Sequence, residues 1–281
     1  AFAYTTIELG TNCFFREPAV WELLEWFGGF TAPFAVEILP EVHEHYSYQL
    51  KLAEHDYWTY DFALPMLMLH TLYHHTNQEL LEWLRICPRR QITTLDTHDG
   101  LGVVDVADLM GQDAIDRTIE GLYRKGSNIK RIYSGEAYQN LDIYQVNCTY
   151  YSALEGNDDS FPTRRSSDLY YVGLLAGSND IELVERTKNG RDINRHGYDL
   201  DEIDREMQRP VVQRLLRLMT FRSHYPAFNG TFRIESTPED QIGLTWRKGK
   251  FMTTLHVDLH SYATRIVYYD ATVDTHKRLA V

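Results

Sequence analysis

Two acids stand where short apolar runs end: Glu41 closes FAVEILPE, and Asp99 follows ITTLDTH. In a parallel βα protein the strands deliver their polar residues at one mouth, so acids on two such strands converge there. A pair of carboxyl groups facing one sugar-sized hollow suits glycosidic chemistry. One protonates a leaving oxygen while the other steadies an oxocarbenium-like transition state. The competing assignment is structural, because an acid at a strand end also caps a following helix or pairs with an arginine. Pattern alone leaves both open.

Other side chains fit the same picture. His98, beside Asp99, and His43, two residues past Glu41, could hydrogen-bond sugar hydroxyls, or could be satisfied buried imidazoles. GRDINRH packs Arg191, Asp192, Arg195 and His196 together. Arg191 offers a fixed donor fork to a sugar or phosphate, and its alternative is an ion-pair network with Asp192. Tyr4, Tyr144, Tyr150 and Tyr151 could form a platform for a pyranose ring, although most tyrosines serve the core. His70 and His74 stand four apart, and HEHY adds His43 and His45, but no HExxH pattern or third ligand accompanies them. No metal and no other cofactor is expected.

The elements that must position these residues alternate. Pro18 followed by Val20, Leu23, Leu24 and Phe27 predicts an amphipathic helix near 18–27, closed by Gly28 and Gly29. Apolar runs at Phe34 to Leu39, in YWTYDFALP, at Ile92 to Leu95 and in YYVGLLAG read as four buried strands, with helices such as TNQELLEWLRI between them. A closed (β/α)8 barrel needs eight strands, so this reads as half of one. The long excursion after Gly100, including AIDRTIEGLYRKG and NLDIYQVNCTYYSAL, is of the kind that serves as a lid or binding loop. DLDEIDREMQRPVVQRLLRLMTFR is a helix broken near Pro210. Beyond Phe228 the grammar changes, and FRIES, IGLTWR, FMTTLHVDL and RIVYYD predict a small antiparallel β domain.

Bulk properties narrow the classes. A net charge of −12 leaves no surplus of Lys and Arg to hold a nucleic-acid backbone. Three scattered cysteines suggest neither a disulfide framework nor a zinc site, which fits a reducing cytoplasm. FALPMLMLHTLY is broken by Pro65 and His70 and is too short to span a membrane.

EILPEVHEHY, YWTYDFALP, LDTHDGLGVVD, NLDIYQVNCTYYSAL, YYVGLLAG and GRDINRH together resemble the sucrose phosphorylase family of the α-amylase clan, over residues 1 to about 230. The resemblance implies the second half of a (β/α)8 TIM barrel, strands five to eight, followed by the antiparallel domain. On this division residues 1–99 hold strands five to seven, 100–157 an inserted acceptor loop, 158–227 the end of the barrel and 228–281 the β domain. It implies retaining glucosyl transfer, with sucrose and inorganic phosphate interconverting with glucose 1-phosphate and fructose. Matched residue by residue, Glu41 corresponds to the general acid/base and Asp99 to the transition-state stabiliser. His98 and Arg191 correspond to groups that grip the glucosyl unit. His43, Tyr4, Leu141, Asp142, Tyr144 and Gln145 correspond to the acceptor region. Phosphate is already an anion at neutral pH, so that region needs shape and dryness more than a strong base. Asp142 favours plain fructose; fructose 6-phosphate, glycerate or glycerol as acceptor, a non-catalytic sugar-binding fragment and a metal-dependent hydrolase are the alternatives.

Two departures from the family matter. Its nucleophilic aspartate would stand one residue before Ala1, so this chain alone is expected to be inactive, since the covalent step has no nucleophile. Its relatives also carry a longer, helix-bearing stretch where FPTRRSSDL, residues 161–169, stands. A genuine loop there would uncover apolar sheet surface. The nonapeptide reads back, in frame, into the end of a common sequencing-adapter oligonucleotide, and is expected to be an assembly artefact. Amplifying and resequencing the locus from source DNA should return a different sequence at 161–169; the same nonapeptide, unchanged and in frame, would overturn that expectation.

Overall fold

A computed structural model of the chain describes residues 17–127, 145–156 and 170–280. Pro18 precedes the first helix, α1 (Ala19–Thr31), where a missing N–H costs nothing. The helix runs through Gly28 and Gly29 rather than ending there; neither glycine takes a left-handed conformation. Each costs about 1 kcal/mol relative to alanine, which a helix can carry. A 3-10 turn, Ala32–Phe34, follows. The run from Phe34 to Leu39 forms no strand, contrary to the expectation from its composition. A strand exists only through a neighbour's ladder, and among the described residues none lies alongside, so Phe34 and Val36 stay 69% and 55% exposed.

The next unit is a βα crossover as the sequence predicts. After α2 (Ser47–Glu54) come β1 (Thr59–Asp61), α3 (Leu64–His74), α4 (Gln78–Ile86) and β2 (Gln91–Thr93). β1 and β2 pair in parallel, Thr59 opposite Gln91 and Asp61 opposite Thr93. Leu67, Leu69, Leu80 and Trp83 fill the core beneath them. Asp61, at the end of β1, is itself buried: its Oδ1 accepts from Leu64 N–H at 3.1 Å and from the Trp83 indole at 2.9 Å, and its Oδ2 from Gln91 at 3.0 Å.

β3 (Leu101–Gly102) pairs antiparallel with β4 (Gln145–Val146), on either side of α5 (Gln112–Arg124). Then follow α6 (Tyr150–Ala153), α7 (Tyr171–Leu174), α8 (Ile181–Thr187), α9 (Leu200–Met207) and α10 (Pro210–His224), the last two separated near Pro210 as expected. The α7 segment corrects a strand expectation. Val172 and Leu175, three apart, turn inward, which is helical spacing; a short apolar run cannot be told from a strand by periodicity alone. Residues 161–169, and residues 128–144 of the excursion that follows Gly100, lie outside the described residues.

The carboxyl-terminal expectation holds, with one more strand than the sequence suggested. β5 (Thr231–Ile234), β6 (Gln241–Lys248), β7 (Phe251–Asp258), β8 (Thr264–Asp270) and β9 (Thr275–Arg278) form one antiparallel meander in chain order. It is fastened to α3 and α4 by polar contacts: Asn77 donates to the carbonyls of Pro238 and Gln241, and Tyr262 donates to Leu72 O at 3.1 Å. Among the described residues no helix is long and apolar enough to cross a membrane.

Burial pushes the Asp61 carboxyl up to about 7, although the Leu64, Trp83 and Gln91 donors favour its charged form. A carboxyl with a raised folded-state pKa stabilises the fold below its unfolded value, and that contribution is lost as pH rises toward 7. Asp61→Asn keeps an acceptor for Leu64 and Trp83 and removes the titration. The melting temperature of the variant should therefore gain on the unaltered chain between about pH 5 and 7 and level off above. A difference independent of pH would contradict the buried-acid account.

Candidate active site

Local grammar fixes the loop that carries His98 and Asp99. Thr97 Oγ1 accepts from the N–H groups of Asp99 and Gly100, at 3.2 and 3.1 Å, and donates back to Gly100 O at 3.1 Å. Gly100 has φ of +110°, and a Cβ there would lie 2.7 Å from Val146 O, so only glycine closes the turn. Three consecutive carbonyls of the loop are then fastened from elsewhere. Asn194 donates to Thr97 O at 2.7 Å, Arg195 Nε to His98 O at 2.8 Å, and Asn147 to Asp99 O.

Glu41 and His43 arrive from the segment ahead of α2. Glu41, His43 and Asp99 each offer a polar atom within 4.8 Å of the other two. His43 Nε2 lies 3.8 Å from Glu41, and its ring stacks on Phe62 with centroids 3.8 Å apart. Gln145, reached through β4, places Nε2 3.3 Å from His43 Nδ1. Asp99 Oδ1 is faced by two guanidinium groups, Arg195 at 3.3 Å and Arg191 at 3.6 Å, and by the His98 imidazole at 3.4 Å. Glu41 is half exposed, whereas the Asp99 side chain is 18% exposed. One acid open to solvent and one held among cations can divide proton transfer from charge stabilisation. Three ligand-type atoms so close could surround a cation, but the guanidinium groups already occupy Asp99, and no metal is assigned there.

Six of the ten residues singled out from the sequence are thus placed: Glu41, His43, His98, Asp99, Gln145 and Arg191 gather at one place. Tyr4, Leu141, Asp142 and Tyr144 lie outside the described residues. Tyr150 and Tyr151 form no sugar platform; both are core, donating to Pro65 O and Gly156 O. His70 and His74 stand apart on α3, where His70 meets Thr118 and Glu79. Arg195 is the residue that sequence reasoning undervalued. Its four-residue spacing from Arg191 hinted at a shared face, but only folding shows both reaching Asp99. Asn147 and Asn194 carried no signal, because asparagine is common in loops.

The arrangement has counterparts. No family model matches the chain. It is 46% identical to the sucrose phosphorylase of Streptococcus mutans, over 97% of this chain and 59% of that protein. It is 41% identical to the glucosylglycerol phosphorylase of Marinobacter adhaerens, over 96% of this chain and 58% of the relative. The crystal structure of sucrose 6F-phosphate phosphorylase from Thermoanaerobacter thermosaccharolyticum superposes with a TM-score of 0.89 at 40% identity, covering 99% of this chain and 59% of the other. The chain thus spans somewhat under two thirds of each of these relatives.

Arg195 links the backbone of the 97–99 loop to the Asp99 carboxylate. Hydrogen bonds to charged groups contribute about 1.5–3 kcal/mol, and a side chain about a third exposed delivers the lower end. Arg195→Ala should therefore lower the melting temperature by about 2 °C, and Arg195→Lys, which lacks the fork, should not fully restore it. An unchanged melt of the alanine variant would remove the loop-fastening role.

Proposed function

Because the chain belongs to the sucrose phosphorylase family, we propose that it supplies the acid/base half of a retaining glucosyl-transfer site on the second half of a (β/α)8 barrel. In the complete enzyme Glu41 protonates the departing fructosyl oxygen and later accepts a proton from the incoming acceptor. Asp99 steadies the oxocarbenium-like charge on the glucosyl carbon. Arg191 and His98 hold the glucosyl hydroxyls, while His43 and Gln145, with Tyr4, Leu141, Asp142 and Tyr144, form the acceptor side where fructose and phosphate alternate. The reaction is sucrose plus phosphate to glucose 1-phosphate plus fructose. The observation that carries this reading is the meeting of Glu41, His43 and Asp99 within 4.8 Å, under two arginines.

Acceptor choice is the finer part of the proposal. Relatives of comparable identity act on different acceptors by their names, so the glucosyl-holding side is the shared element and the acceptor loop the variable one. Plain fructose is favoured here through Asp142, with phosphorylated fructose, glycerate or glycerol as the alternative. A carboxylate beside the acceptor would repel an anionic sugar, which is the physical basis of that preference.

Retaining transfer needs a covalent carboxylate nucleophile besides these two acids, and no residue of this chain is assigned that role. The purified chain should release no glucose 1-phosphate from sucrose and phosphate, while glucose 1-phosphate should raise its melting temperature. That rise should vanish in Arg191→Ala. Measurable turnover by the chain alone would refute the division of labour, and a ligand-independent melt would refute the binding half.

A further inference from the structure

Asp105 is the buried acid that the glucosyl-transfer scheme leaves unused. It sits on the 3-10 turn Val104–Val106 with 0% exposure, and neither carboxylate oxygen has a hydrogen bond among the described residues. A carboxylate in that position is costly unless a positive group answers it. The group that faces it is His43, whose Nδ1 lies 3.9 Å from Asp105 Oδ2, an ion-pair distance rather than a hydrogen bond. The space for the carboxylate is made by Gly102 of β3, where a Cβ would come within 2.0 Å of Oδ2. The imidazole cannot turn away freely. Phe62 stacks on its face and Gln145, opposite Gly102 in the β3–β4 register, meets the same Nδ1.

We propose that Asp105 is a positioning residue for His43: it keeps a proton on Nδ1 and so turns Nε2 toward Glu41 and the acceptor. Glu41 lies 3.8 Å from the other ring nitrogen, and Glu44 acts on Asp105 as a further like charge. Burial pushes the Asp105 carboxyl up, and His43 pulls it back part of the way. Gln145 then presents its amide oxygen, not its nitrogen, to Nδ1, a choice that the positions of the heavy atoms leave open. The ring is thereby given one tautomer, which is what a donor or acceptor at fixed height beside Glu41 requires. The contact between Asp105 and His43 stands by itself; its use in handling the acceptor rests on the glucosyl-transfer reading.

Long-range proton–nitrogen correlation spectra of the whole chain, with His43→Gln identifying the His43 signals, read the ring's protonation atom by atom. The expected result is a proton on Nδ1 throughout about pH 6 to 8. In Asp105→Asn the proton should move to Nε2. Gln145→Ala should leave the Nδ1 proton in place. A bare Nδ1 in the unaltered chain overturns the proposal without any variant. So does an Asp105→Asn spectrum that matches the unaltered one in a protein that still melts cooperatively. Glucose 1-phosphate binding is read separately from these spectra, so failure of the transferase reading would leave the Asp105 result standing.

Discussion

The site depends on one backbone constraint: the 97–99 loop is held by its own carbonyls. Asn194, Arg195 and Asn147 each take one of three successive oxygens, and the donors come from segments about fifty and about a hundred residues further along the chain. A loop carrying a charged side chain would otherwise sample many conformations at a cost of about 1–2 kcal/mol per residue fixed. With its carbonyls occupied, Asp99 has one position, and Arg191, Arg195 and His98 can be arranged around it. Catalytic electrostatics require donors and charges set before the reaction rather than gathered during it.

The four acids divide by burial into two pairs. Glu41 and Asp99 reach solvent to different degrees, 51% and 18% exposed, and lie beside His43. Asp61 and Asp105 are buried, one holding the end of β1 against Trp83, the other 3.9 Å from His43. Burying a carboxyl is unfavourable in itself, so each buried acid marks a place where its geometry matters more than its cost. Asp61 ties the parallel pair to the helix that crosses over it, and Asp105 lies under the imidazole beside the acid/base candidate.

The carboxyl-terminal sheet contributes from outside. Its turns reach back to α3 and α4 through Asn77, His75 and Tyr262, so the meander closes over the end of the βα unit rather than hanging from it. Family relatives that act on different acceptors share this much of the chain at similar identity, which fits a common scaffold with the differences concentrated in loops.

Helix period, the break at Pro210, the parallel pairing of β1 with β2 and the antiparallel ending were legible in the residues, because each is set by local spacing or by turn chemistry. Glu41 and Asp99 do meet, but not as two strand ends: the run before Glu41 forms no strand, and Glu41 arrives on the irregular segment ahead of α2. The unpaired run at Phe34 to Leu39, the helix at Tyr171–Leu174 and the burial of Tyr150 and Tyr151 were not legible, because an apolar run takes its form from the neighbour it meets. Arg195, Asn147 and Asp105 were likewise decided by tertiary structure: their partners lie 96, 48 and 62 residues away, and no local pattern records a contact made across such a span.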